Sequence, residues 1–199
     1  MLHGDAWDKK FEYNASVTNG SGPNRLNGNK SFLYSGRVAY NPLGHYGYSE
    51  ADTEYSEHPA LTFAANAGYN KQDNTGFNFL MAGGNVGAKY KGFSFQGEYY
   101  LRKNMIGQTP ETTDHGYYAQ AGYIIKRHFE VAGRASQIFL AGPNNNKGEF
   151  MGALSYYVFG HDLKVQSDFA WLPSQVNPAT NAAGKINDYR FRVQLQTWF

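Results

Sequence analysis

The twelve residues that end the sequence, 188–199, constrain the fold more than any other stretch. Tyr189, Phe191, Val193, Leu195, Thr197 and Phe199 fall on one parity, and Asp188, Arg190, Arg192, Gln194, Gln196 and Trp198 on the other. Successive side chains of a β-strand point to opposite faces, so the stretch makes one apolar face and one charged or amide face. An edge strand of a soluble sandwich has the same pattern. The segment alone leaves sandwich and barrel open.

The alternation recurs along the chain. Strands are expected at 11–17, 33–40, 61–69, 80–90, 93–102, 117–126, 129–136, 149–158, 163–171 and 188–199. In the fifth, Phe93, Phe95, Gly97, Tyr99 and Leu101 oppose Ser94, Gln96, Glu98, Tyr100 and Arg102. Asn19-Gly20-Ser21-Gly22-Pro23, Asn41-Pro42 and Gly142-Pro143 break the pattern as turn and loop formers do. No stretch carries a sustained helical period. Met1, Leu2, His3 and Gly4 have the character of the end of an earlier strand.

The connections alternate too. From the fourth strand onward, those after even-numbered strands are short, at 91–92, 126–128 and 159–161, and those after odd-numbered strands run to about ten residues or more. Short turns at one end and long loops at the other are the arrangement of outer-membrane barrels. The connector at 42–58 is too long for this pattern. With the short turns in the periplasm, the closing strand ends there, on an aromatic residue with a free carboxylate. That ending resembles the closing strand of bacterial outer-membrane barrels, whose last residue, here Phe199, is read by the barrel-assembly machinery.

Composition agrees with a barrel and removes several alternatives. No run approaches the roughly 20 apolar residues of a membrane helix, whereas a spanning β-strand needs about 9–11 residues with only alternate ones apolar. Aromatic residues make up 17% of the chain, which suits girdles at two membrane interfaces. The absence of Cys removes disulfides, thiolate metal sites and Cys nucleophiles. The six His show no metal-ligand spacing, so neither metal nor cofactor is expected. Arg and Lys are dispersed, without the footprint of nucleic-acid binding. The Asn-x-Ser triplets at Asn14, Asn19 and Asn29 matter only in a eukaryotic secretory protein. The first residues do not form a signal peptide, so the expected organisation is one barrel domain over 1–199 that is the C-terminal part of a longer chain.

Turning the apolar parity toward lipid places Arg37, Lys89, Arg102, Lys126, Arg134, Lys164, Arg190 and Arg192 in the lumen. The acids Glu12, Glu98, Glu130, Glu149, Asp162, Asp168 and Asp188 face the same way. Most of these charges are expected to pair across strands and keep the lumen hydrated. An unpaired basic subset sets a preference for anions. Arg190 and Arg192 lead it, because only Asp188 offsets them on their own strand.

Several segments, in this order and spacing, carry a resemblance. They are Tyr13 to Gly20, Arg37 with Asn41-Pro42, Gly97-Glu98-Tyr99-Tyr100, Gly116 to Tyr123, Glu130 with Arg134, and Ser155 to Lys164. Together they are similar to the C-terminal half of the phosphate-selective porin O and P family. The resemblance implies an all-β, antiparallel up-and-down transmembrane barrel of sixteen strands, about ten of them in this chain. It also implies a homotrimer in the Gram-negative outer membrane that passes small anions such as phosphate or pyrophosphate by diffusion. The family's inward-folded constriction loop has no expected counterpart here, so no selectivity residue carries over. As an isolated set, these strands are expected to give an open curved sheet or an unstable small barrel.

The alternative function is an outer-membrane hydrolase with a His–carboxylate site on an extracellular loop. Asp114-His115 and Glu57-His58 are the neighbours to consider as a base with its orienter. Gly83-Gly84-Asn85-Val86-Gly87 has the composition of a phosphate-cradling loop, but no helix follows to supply its dipole. In a strand, these glycines make room for an aromatic neighbour.

Overall fold

The computed structural model describes residues 1–19, 32–71, 78–105, 111–142, 145–159, 163–176 and 183–197. Eleven strands form one sheet in sequence order, each antiparallel to the next. They are β1 (Leu2–Ala6), β2 (Phe11–Asn19), β3 (Phe32–Tyr40), β4 (Ala60–Asn70), β5 (Asn78–Tyr90), β6 (Phe93–Met105), β7 (Thr112–Ile125), β8 (Phe129–Phe139), β9 (Lys147–Phe159), β10 (Leu163–Val176) and β11 (Ala183–Thr197). The fold is all-β and up-and-down, as the alternation requires. The sheet is not closed: β1 and β11 are its edges.

All ten expected strands form, and β1 is an eleventh. Its five residues are too few to show a periodicity of their own; they are held by pairing Leu2 to Ala15 through Ala6 to Phe11. Several strands also run beyond their expected ends. Apolar alternation stops there, but the backbone ladder continues. Of the loop expected before 117, residues 103–105 thus belong to β6 and 112–116 to β7, because Asn104 pairs with Thr112 and Arg102 with Asp114. Pro173, expected in a loop, lies inside β10 opposite Asn187. Proline has no amide proton to donate, and pairing to β9 skips from Trp171 to Ser174 around it.

The tight turns have the required backbone. Lys91 and Gly92 sit at φ 48° and 85°, the two positive values of a type I′ hairpin, and Lys126 and Arg127 at 50° and 65°. The same end of the sheet carries the β1–β2 turn, where Trp7, Asp8 and Lys9 all have positive φ. The turn between Phe159 and Leu163, and with it Asp162, lies outside the described residues, as do Phe199, Asn29 and the 20–31 loop.

The two faces of the sheet are inside out relative to a soluble domain. Lys89, Glu130 and Asp168 are buried along with Thr62, Ser94 and Ser155, while Phe191, Tyr189, Leu195 and Val193 are two-thirds exposed. Among the described residues no helix is long and apolar enough to cross a membrane.

Candidate functional site

The 41–59 connector between β3 and β4 folds over part of the polar face from the short-turn end and covers Lys89, Ile124 and Tyr157 there. From the sequence this connector is only too long for the short-turn pattern; its course over the polar face is set by the fold. The connector is pinned at both ends. Asn41, fully buried, donates from its side-chain amide to Glu12 Oε1 at 2.8 Å and to the Lys9 carbonyl at 3.0 Å. At the far end Asp52, 2% exposed, accepts from the Ser56 hydroxyl at 2.6 Å and from the Gly92 amide at 2.7 Å. The Tyr55 ring lies on Gly92 and under the Arg127 guanidinium, 4.8 Å from its centroid.

Between these anchors the connector lies directly on the strands. The Tyr46 ring packs over Gly87, where an added Cβ would stand 2.7 Å from Tyr46 Cζ. Burial, followed by the neighbouring Tyr48 and Asp52, pushes the Tyr46 phenol up to about 12. The Lys89 ammonium donates to the Gly47 carbonyl and to Ser49 Oγ. Ala51 reaches Ile124 on β7 and Tyr157 on β9 in a small buried cluster. Small residues on the strands make this approach possible; Gly87, Ala39 and Ala153 face the connector's side of the sheet.

The basic residues expected in the lumen divide into distinct groups. Arg190 and Arg192, the leading candidates for an unpaired subset, are ion-paired. Arg190 Nη2 meets Glu149 at 3.0 Å, and Arg192 Nε meets Asp168 at 3.0 Å. The offsetting acids come from β9 and β10, not from their own strand, which is why inspection of β11 alone misjudged them. Arg37 donates to the Tyr48 hydroxyl, which donates in turn to Glu12 at 2.9 Å. Lys89 is taken up by the connector. Lys126 is in the β7–β8 turn with positive φ, off the wall altogether.

Arg102, Arg134 and Lys164 form the last group. They lie over the rings of Phe79, Tyr118 and Tyr157 at 4.5, 5.0 and 5.9 Å. Among the described residues none of the three has a carboxylate within ion-pair distance. Lys164 and Arg134 border a cleft with Glu50 and Glu130 beside the connector.

The His–carboxylate neighbours are placed apart. Asp114 is on the polar face of β7, accepting from Asn104 Nδ2 at 2.8 Å and from the Ala141 amide at 2.8 Å. His115 points to the other face, stacked on Phe139 at 4.6 Å, with Nδ1 3.2 Å from the Tyr99 hydroxyl. Both residues are in a strand rather than in the expected loop. Glu57 and His58 are exposed at the end of the connector.

On the opposite face, exposed aromatics run along the whole strand length. Phe11, Tyr40, Tyr90, Phe93, Tyr123, Phe129 and Tyr156 lie toward the short turns, Tyr34 and Tyr69 toward the loops, and Tyr99, Phe169 and Phe191 at mid-strand. Aliphatic residues such as Val38 and Leu154 are exposed among them. From Tyr34 to Tyr40 the strand climbs about 20 Å, at roughly 3.4 Å per residue. No family model, no characterised protein and no solved structure matches the chain.

Proposed function

We propose that this chain forms the wall of an outer-membrane porin, a water-filled channel for passive diffusion of small anions such as phosphate or pyrophosphate. The observation that carries this is the inverted sheet. A charged, hydrogen-bonded face is partly covered by its own connector, while the opposite face exposes aromatic and aliphatic side chains along its whole length. Water penalises so large an apolar surface, whereas a bilayer with an apolar band about 25 Å tall accommodates it. Arg102, Arg134 and Lys164 favour anions along the polar face, because no described carboxylate stands within ion-pair distance of them.

The two edges bear on how the barrel closes. With eleven strands alternating in direction, β1 and β11 run the same way. Antiparallel closure therefore takes an odd number of further strands, and a sixteen-stranded barrel supplies five beyond these eleven. Trimer formation, and recognition of Phe199 by the assembly machinery, belong to the same proposal and rest on the resemblance.

The test is planar-bilayer conductance of the chain refolded in detergent, with reversal potential measured across a salt gradient. A stable pore with anion preference supports the proposal. A stable pore that prefers cations removes the anion role, and a water-soluble monomer with no affinity for detergent removes the membrane one.

A further inference from the structure

Gly83 and Gly87 flank Asn85 on β5, and all three face the connector's side of the sheet. Each glycine lies under a tyrosine. A Cβ at Gly83 would stand 2.8 Å from Tyr100 Cε1, and one at Gly87 2.7 Å from Tyr46 Cζ. The glycine-rich segment thus floors a slot in which Asn85 lies between two phenol rings. The cleft above it has a volume of about 400 Å³, within the range of small-molecule sites. Tyr48, Asn66, Gln96, Arg37 and Glu98 line it too, with Thr62 and Val86.

The chemistry of that lining is selective. Arg37 and Glu98 are its only charged groups, of opposite sign, so a ligand with net charge gains at one what it loses at the other. Arg37 is already engaged with the Tyr48 hydroxyl and lies 5.0 Å from that ring's centroid. The other polar groups are amides, phenols and the Thr62 hydroxyl. Side-chain amides both donate and accept, as ligand hydroxyls do, and aromatic faces cover apolar C–H surfaces. Asn66 Nδ2 donates to Asn85 Oδ1 at 3.5 Å across β4 and β5, a long bond that holds the two amides side by side in the cleft.

We propose that the cleft between the connector and β3–β6 binds a neutral polyhydroxylated solute the size of a mono- or disaccharide. This site goes beyond the anion channel and does not rest on it, since binding to the refolded chain needs no conductance.

The test is calorimetric titration of the full chain, refolded in detergent, with glucose, sucrose and maltose, and separately with inorganic phosphate at matched ionic strength. The expected result is saturable binding of at least one sugar, weakened about tenfold or more in both Asn85→Ala and Tyr48→Ala, with no competition from phosphate. Circular dichroism identifies a variant that has lost its sheet. Tyr48→Phe, which keeps the ring, provides a second reading: it binds better than Tyr48→Ala. Binding of none of the three sugars, displacement by phosphate, or full affinity in folded Asn85→Ala overturns the proposal. Conductance without sugar binding removes this site and leaves the channel; sugar binding without conductance supports this site, because the open sheet can bind a solute without closing into a pore.

Discussion

The carboxylate of Asp52 accepts a hydrogen bond from the backbone amide of Gly92 at 2.7 Å, across forty residues of sequence. The same carboxylate accepts from the amide and hydroxyl of Ser56. One side chain thus ties the end of the connector to the β5–β6 turn. A buried carboxylate with these donors is a stronger tie than a neutral acceptor in its place, since charge-assisted hydrogen bonds are about twice as strong as neutral ones.

Asp52→Ala leaves the Gly92 amide without its acceptor and frees the connector's end. The loss is about 3 kcal/mol for the docked state. Cleavage by a glutamyl endopeptidase after Glu50, Glu54 or Glu57 is expected to rise by about 100-fold, because proteolysis follows the population of the open form. Unchanged cleavage shows that the connector is held by other contacts.

Tyr46 gives the docked connector a pH limit. Its folded pKa is raised above the ordinary tyrosine value of 10.0 to about 12, so burial favours the neutral phenol. The contribution is fully present below about pH 10 and is lost as pH rises toward 12, where the folded form ionises. An ultraviolet difference titration of the wild type against Tyr46→Phe is expected to show one phenol ionising near pH 12. A midpoint near 10 means the ring is not covered.

In the proposed channel, selectivity is expected to respond to net charge and not to arginine count. The double substitution Arg192→Ala with Asp168→Ala removes a neutral pair and is expected to leave the reversal potential unchanged. Arg134→Ala removes a cation without a described carboxylate partner and is expected to lower the anion preference. Equal shifts from both indicate that the Arg192–Asp168 pair is open to the permeating ion.

Two glycines separate close approach from ordinary strand. An added Cβ at Gly83 would stand 2.5 Å from the Tyr99 carbonyl oxygen, while one at Gly152 meets nothing within 4 Å. Gly83→Ala is expected to destabilise by about 1–3 kcal/mol through overpacking. Gly152→Ala is expected to be neutral or slightly stabilising. The temperature at which the folded band disappears on a denaturing gel measures both.

The faces themselves are testable. Leu154→Arg places a charge in the exposed aliphatic band, where a bilayer midplane costs about 2–4 kcal/mol. Gln166→Arg puts the same charge on the polar face and is expected to fold into lipid vesicles as the wild type does. Equal folding yields count against a lipid-facing band.

Much of the architecture was legible in the chain. Strands β2 to β11 announce themselves because apolar and polar residues alternate with the period of the pleat, and that period needs no tertiary information. Lys91-Gly92 marked its turn for a similarly local reason, the positive φ that glycine permits. The division of faces followed from parity alone, and the register agrees with it strand after strand, with Asp168 opposite Arg192 and Asn85 opposite Glu98.

What the tertiary structure alone decided is which charges meet and what the connector does. Arg190 and Arg192 looked unpaired on β11 because their partners, Glu149 and Asp168, are 41 and 24 residues away. The limits of β6, β7 and β10 were misjudged because ladder hydrogen bonds extend past the last apolar residue. The 41–59 segment carries no periodicity, and its place is set by long-range contacts: Asn41 to Lys9, Lys89 to Gly47, Asp52 to Gly92. Alternation is a property of neighbours in sequence and can be read from them. Pairing and docking depend on residues that only the folded sheet brings together.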